Sequence, residues 1–258
     1  MRDPFIFAML TTLPTPTIFA HRGASAYAPE NTLAAFELAV EQGADGIELD
    51  VKLSADGHVV VIHDPTVDRT TGAHGRVKDL NLDDLRALDA GSRLFADYKS
   101  EKIPTLEQVF EAVGKKTFIN VELTNYNTPR DHLAESVCML VKRFGLQKRI
   151  LFSSFLASNL SKARSYLPNV PTGLLALNGI IGAWHRSFAF AFGRFDALHP
   201  HHKDVTQQQV YFVHRLKRRI HVWTVNDEND MRRLFKWGVD AIFTDDPLLA
   251  VKFRREGV

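Results

Sequence analysis

Only one cysteine, Cys138, occurs in the 258 residues. No internal disulfide can form, and a chain of this length buries enough surface to need none. Cys138 sits in the apolar run "AESVCMLVKRFG", which reads as a helix. A buried, inert thiol in a reducing interior is the expectation. Long apolar runs are also missing: nothing approaches the ~18 uninterrupted residues of a spanning helix. The N-terminus "MRDPFIFAML" has only a short apolar stretch after Asp3 and Pro4, with no evident small-residue cleavage site, which favours a cytoplasmic protein. Charge of one sign is scarce too. Thirty-two lysines and arginines against 30 acidic residues leave a formal net charge of +2, too little to suggest a nucleic-acid partner. The basic stretches "HRLKRR" (214–219) and "KFRRE" (252–256) read as solvated helix ends. No internal repeat or low-complexity tract is visible.

What is present is alternation. Nine short apolar runs read as strands: "TIFAH", "GIELDV", "HVVVIH", "TFINVEL", "ILFSSF", "TGLLAL", "DALHP", "HVWTV" and "DAIFTD". Helical spacing fills many of the intervals. In "NTLAAFELAVEQG", Leu33, Phe36 and Val40 share a face, Asn31 or Thr32 can cap the start, and Gly43 can end it. "PTLEQVFEAVGKK" repeats the pattern with Thr105 as cap, and "NDMRRLFKWG" ends at Gly238. Alternating β and α segments in about 250 residues predict an α/β fold, a (β/α)8 TIM-type barrel. The ninth strand is explained by "DVKLSADGHVVVIHD": its "ADG" leaves no room for a crossover helix, so an antiparallel hairpin is expected. Residues 64–104 hold no strong strand or long helix and read as a small insertion over one end of a single catalytic domain, 1–258.

Polar residues collect where the strands end, the place where barrels of this type keep reactive groups. His21 and Arg22 close the first strand. Glu48 and Asp50, two residues apart, face one side of the second. His63 and Asp64 end the hairpin, Glu122 ends "FINVEL", His199 and His201 end "DALHPHH", and Trp223 and Asn226 end "HVWTVN". Three carboxylates in one cavity repel one another and lose hydration. A divalent cation resolves the conflict, and hard oxygen ligands favour Mg2+ or Ca2+. Salt bridging to Arg22 or Lys52 is the other resolution. Two histidines add acid–base capacity, and an arginine suits a phosphate through its bidentate fork. Together these residues point to metal-assisted phosphoester cleavage.

The segments "HRG…PENTLAAF", "ADGIELDVKLSADGHVVVIHDPTVDRTT", "PTLEQVF", "NVEL" and "VWTVN…GVDAIFTDDP", in this order, resemble the glycerophosphodiester phosphodiesterases from about residue 18 to residue 250. The resemblance implies a barrel with an inserted subdomain after the hairpin. It implies hydrolysis of glycerophosphodiesters to sn-glycerol 3-phosphate and an alcohol. By motif position, Glu48, Asp50 and Glu122 would bind the cation, and His21 and His63 would form the acid–base pair. Arg22 would hold phosphate, with Lys52 and Trp223 as further substrate contacts. The sequence departs from the usual "E-x-K" of the family, because Thr124 stands where a lysine is common. Tyr126, Lys52, or one of His199, His201 and His202 could compensate. The "HPHH" cluster itself reads as packing and hydrogen bonding rather than a second metal site.

The Phe-rich stretch 177–195 follows the sixth regular strand. It reads as a barrel helix or as an apolar lip for a lipid tail or a membrane surface. Successive residues of Phe188, Phe190 and Phe192 point about 200° apart on a helix, so all three cannot face the core. If they line an open groove above the site, lysophospholipids become substrates and the chain is lysophospholipase D-like. A catalytically dead, phosphodiester-binding barrel is the remaining alternative, disfavoured because all five metal and proton-transfer candidates are present.

Overall fold

The computed structural model describes residue 10 and residues 12–257, so the expectation about the N-terminal stretch falls, apart from Leu10, outside the described residues. Eight parallel strands close into a ring: β1 (Thr17–Ala20), β2 (Gly46–Leu53), β4 (Phe118–Leu123), β5 (Ile150–Ser154), β6 (Thr172–Ala176), β7 (Ala197–Pro200), β8 (Arg219–Val222) and β9 (Ala241–Thr244). β1 pairs with both β9 and β2, which closes the barrel. β3 (Val59–Val61) pairs antiparallel with β2 and stands outside the ring, as the "ADG" turn predicts. The chain therefore folds as a TIM-type (β/α)8 barrel, and all nine apolar runs are strands.

The local chemistry explains the boundaries. Thr32, not Asn31, caps the helix Leu33–Glu41, accepting from the Ala35 N–H at 3.2 Å. Asn31 is free for another task because its backbone turns left-handed (φ 59°) and its side chain reaches Asp50. Thr105 and Gln108 form a reciprocal capping box at the start of Leu106–Val113. Gly238, with φ 76°, ends the helix Glu228–Trp237.

Strand alternation divides the apolar residues into two layers. Ile18, Ile47, Leu49, Ile119, Val121 and Ile242 point outward into the main core beneath the helices. Phe19, Ala241 and Phe243 fill the barrel interior, packed against Phe118 and Trp223. Residues 64–104 consist of short helical turns, including Asp68–Thr71 and Leu82–Ala87. Their Val67, Val77, Leu85, Ala90 and Ile103 share a separate cluster with Val60 and Ile62 around β3. Among the described residues, no helix is long and apolar enough to cross a membrane.

Candidate active site

The register of β2 against β4 places Glu48 opposite Asn120 and Asp50 opposite Glu122. One carboxylate oxygen from each of Glu48, Asp50 and Glu122 lies within 4.8 Å of the others. Glu48 and Asp50 are buried. Their surroundings differ. Asp50 accepts from Asn31 Nδ2 at 3.0 Å and lies 3.3 Å from Nε of Arg22. Burial pushes its pKa up, but Arg22, His63 and the Asn31 hydrogen bond more than offset this, so Asp50 stays below the ordinary carboxylate value. Glu122 accepts from the Tyr126 hydroxyl at 2.7 Å, yet burial and the charge of Asp50 push it up to about 8. Burial, Asp50 and Glu122 likewise raise Glu48 well above its usual value. Its Oε2 accepts the Arg22 backbone N–H at 3.0 Å, while its Oε1 is buried with no hydrogen-bond partner.

An orphaned buried carboxylate oxygen, beside two more carboxylates, fits a hard divalent cation. Arg22 and Lys52 neutralise the trio only in part. Lys52 Nζ donates to Thr124 Oγ1 at 2.6 Å and to the Thr124 carbonyl at 3.1 Å. No other cluster of three metal-ligating side chains occurs among the described residues.

Two histidines flank the carboxylates, each steadied by an aspartate. His21 Nδ1 is 2.7 Å from Asp245 Oδ1, and its Nε2 is 4.0 Å from Glu48. His63 Nδ1 is 2.6 Å from Asp64 Oδ1. An Nδ1–H···carboxylate bond leaves Nε2 as the working nitrogen. Asp64 is held by Arg69 Nε at 2.7 Å, and Arg69 also grips Glu30 at 2.6 and 2.8 Å. Glu30 in turn accepts from Arg22 at 3.0 Å. One chain of charges thus links Arg22 to His63. Arg22 adopts a left-handed backbone (φ 58°), and Gly23 follows at φ 87°. A Cβ on Gly23 would lie 2.6 Å from Ala35, so the turn that presents His21 and Arg22 requires glycine there.

His21, Arg22, Glu48, His63, Asn120, Glu122 and Trp223 line one cavity of about 260 Å3. Asp50, the third member of the trio, lies 3.3 Å from Arg22 Nε and is not part of the lining. Lys52 faces a neighbouring cavity of about 440 Å3, together with Arg76, Lys78, Thr124 and Asn125. One wall of the first cavity is apolar: Phe155, Leu175, Leu177, Trp223 and Phe243. Phe155 and Trp223 meet edge to face at 5.8 Å. Of the stretch 177–195, only Leu177 borders this cavity.

The histidines of "DALHPHH" separate because only His199 lies within β7, which ends at Pro200. His199 points inward and pairs with His221, Nε2 to Nδ1 at 3.1 Å. A Cβ on Gly173 would lie 2.2 Å from His199 Nε2, so that glycine makes the room. Burial, then His221, lowers the His199 pKa well below normal, and burial lowers His221 to about 4. His201 packs edge-on against Trp223, and His202 bonds Asp230 at 2.6 Å.

Several functional neighbours escaped the sequence reading. Asp245 sits in the "FTDDP" run but is 224 residues from His21. Asn120 was findable, since it precedes Glu122 by two residues on the same face. Glu30 and Arg69 carry no pattern that announces their pairing.

A closed barrel that gathers two histidines, an arginine and a carboxylate trio at the carboxyl ends of its strands has the architecture of an α/β-barrel enzyme. Residues 21–249 match the glycerophosphoryl diester phosphodiesterase family model. A glycerophosphodiester phosphodiesterase of Caldanaerobacter subterraneus subsp. tengcongensis is 40% identical over 243 residues, covering 93% of this chain and 98% of that protein. The structure of an Oleispira antarctica phosphodiesterase in complex with the product sn-glycerol-3-phosphate superposes with a TM-score of 0.86 at 32% identity, covering 95% and 98% of the two chains. A glycerophosphodiester phosphodiesterase from Agrobacterium tumefaciens gives 0.78 at 30% identity, covering 91% of this chain and 99% of that one. The chain belongs to the glycerophosphoryl diester phosphodiesterase family.

Proposed function

We propose that the protein hydrolyses glycerophosphodiesters to sn-glycerol 3-phosphate and an alcohol, using a divalent cation and histidine acid–base catalysis. The observation that carries this reading is the single cavity in which His21, His63 and Arg22 surround Glu48 and Glu122. Glu48, Asp50 and Glu122 would hold Mg2+ or Ca2+. When bound, the cation supplies charge neutralisation at the phosphorus oxygens. Arg22 positions a phosphate oxygen through its guanidinium. His21 Nε2 removes the proton from the glycerol 2-hydroxyl, whose oxygen attacks phosphorus. His63 Nε2 gives its proton to the departing alkoxide, which leaves as a neutral alcohol. In the second half His63 takes a proton from water, the hydroxide opens the cyclic diester, and His21 returns a proton to the 2-oxygen. Atoms and protons balance over the two halves, with one water consumed.

Lys52 belongs to this proposal as a source of positive charge, held by Thr124 at the position where a lysine is common in the family. Trp223 would contact the substrate from the cavity wall. The apolar wall of Phe155, Leu175 and Leu177 favours a second reading, in which lysophospholipids are also cleaved. The insertion 64–104 acts as a subdomain that carries Asp64 and Arg69 to His63. A cytoplasmic site of action completes the proposal and suits the lone unpaired Cys138.

Phosphorus NMR of the products of glycerophosphocholine tests the reaction. Glycerol 3-phosphate with free choline is the expected result. Phosphocholine with glycerol would place the cleavage on the wrong bond and overturn the assignment.

A further inference from the structure

Beyond β6 the chain runs along the outside of the barrel through Gly179–Trp184, one π-helical turn His185–Ala189 and Phe190–Phe192. The inner face is conventional. Phe190 is fully buried, with the Arg218 guanidinium 4.7 Å from its ring centre and bonded to its carbonyl. The outer face is not. Ile180 is 94% exposed, Ile181 81%, Trp184 63%, Phe188 58% and Phe192 84%. Trp184 stacks on Phe188 at 5.6 Å, and Phe188 on Phe192 at 6.3 Å. The result is an ordered aromatic ladder open to water. By contrast, the helix Glu228–Trp237 exposes Glu228, Arg232 and Lys236, the usual outer face of a barrel helix.

We propose that this ladder docks the enzyme on the surface of a phospholipid bilayer. Three observations select that occupant. The residues form one stripe along one side of a helix, the shape that lies in a membrane interface, with tryptophan and phenylalanine as the anchoring side chains. No carboxylate occurs between Leu177 and Phe195, while Arg194 is exposed, so nothing in the stretch repels anionic headgroups. Asp204, which accepts the Gly179 N–H, is neutralised by Arg186 at 3.1 Å, and Asp196, just past Phe195, by Arg164 at 2.6 Å. Finally, the stripe begins at Ile180, three residues after Leu177, which lines the cavity shared by His21 and His63. A helix lying in the interface brings the cavity mouth to headgroup depth. The purpose of docking rests on the glycerophosphodiester reading of the cavity, but the docking itself is measurable without catalysis.

The test is flotation of the purified protein with vesicles of phosphatidylcholine and phosphatidylglycerol, paired with quenching of tryptophan emission by brominated phosphatidylcholine. The wild type should float and be quenched. A triple variant, Trp184→Ser with Phe188→Ser and Phe192→Ser, should stay at the bottom of the gradient. It should still cleave soluble glycerophosphocholine at the wild-type rate, since none of the three lines the cavity. A single Phe192→Asp variant guards against misfolding and should weaken flotation several-fold. Wild type that does not float overturns the proposal. So does light scattering showing a wild-type dimer that the triple variant turns into a monomer, with no vesicle binding by either, because the face would then join two copies. Flotation without any hydrolysis would support docking while rejecting the catalytic reading.

Discussion

His21 and Asp245 lie 224 residues apart in the chain, and their side chains meet at 2.7 Å. The contact exists because β1 and β9 close the barrel side by side, with Ala20 opposite Thr244. Asp245 also accepts from Ser25 Oγ at 3.1 Å and from Asn226 Nδ2 at 2.6 Å. Burial pushes the Asp245 pKa up, but His21 and these donors outweigh it and hold the carboxylate in its charged form. Asp245 is therefore placed to fix the His21 tautomer, and under the proposed mechanism it would act as a positioning residue. Asp245→Asn should lower kcat on glycerophosphocholine by ~10-fold or more, with KM nearly unchanged. It should also alter the pH profile of kcat. A fall in thermal stability with kcat intact would show a merely structural role.

His63 is expected to protonate the leaving alcohol. His63→Ala should cost ~10²-fold or more in kcat on a choline or ethanolamine diester. A diester whose leaving alcohol has a low pKa should recover much of the rate, because it needs no proton. Equal losses on both substrates would remove His63 from that role. Asp64→Asn should show a weaker form of the same pattern.

The Lys52–Thr124 contact makes its own prediction. Burial lowers the Lys52 pKa, partly countered by Asp50 and Glu122. Thr124→Val takes away the hydroxyl that accepts from the ammonium. A loss of about 1 kcal/mol in denaturant-unfolding stability is expected, because the hydroxyl also donates to the Val51 carbonyl at 2.8 Å, while the Thr124 carbonyl still accepts from Lys52. Thr124→Ser should restore most of it. No loss in the valine variant would mean that the Thr124 hydroxyl adds nothing to the carbonyl contact that already holds Lys52.

The buried pair His199–His221 should make the fold acid-sensitive. Both pKa values are depressed, His221 to about 4. Between that value and the ordinary histidine value near 6.5, the unfolded chain binds protons that the folded chain refuses. Stability should therefore fall as pH drops from about 6.5 towards 4. Replacing His221 with leucine should flatten this part of the curve, measured as melting temperature against pH. An unchanged slope would assign the acid sensitivity to other groups.

Much of the architecture was legible because it rests on local rules. Short apolar runs marked every strand, and "ADG" distinguished the hairpin from a crossover. Glu48 and Asp50 could be paired by their two-residue spacing, and strand ends located the histidines. Contacts made by barrel closure had no local signal, so the Asp245 partner of His21 was invisible. The Arg22–Glu30–Arg69–Asp64 chain was hidden for the same reason. Sequence alone left the cap of the first helix between Asn31 and Thr32, and tertiary contact with Asp50 decided it. In the Phe-rich stretch, the 200° spacing required a split, and Phe190 went inward while Phe188 and Phe192 stayed in water.

The central claim is that Glu48, Asp50 and Glu122 share a divalent cation needed for glycerophosphodiester hydrolysis. The most direct measurement is glycerol 3-phosphate formation from glycerophosphocholine, followed enzymatically after exhaustive chelation and again after adding Mg2+ or Ca2+. The account predicts that chelation abolishes the activity, that one of these ions restores it, and that Glu48→Gln and Glu122→Gln variants are not restored. Full activity in protein stripped of every metal ion would contradict it.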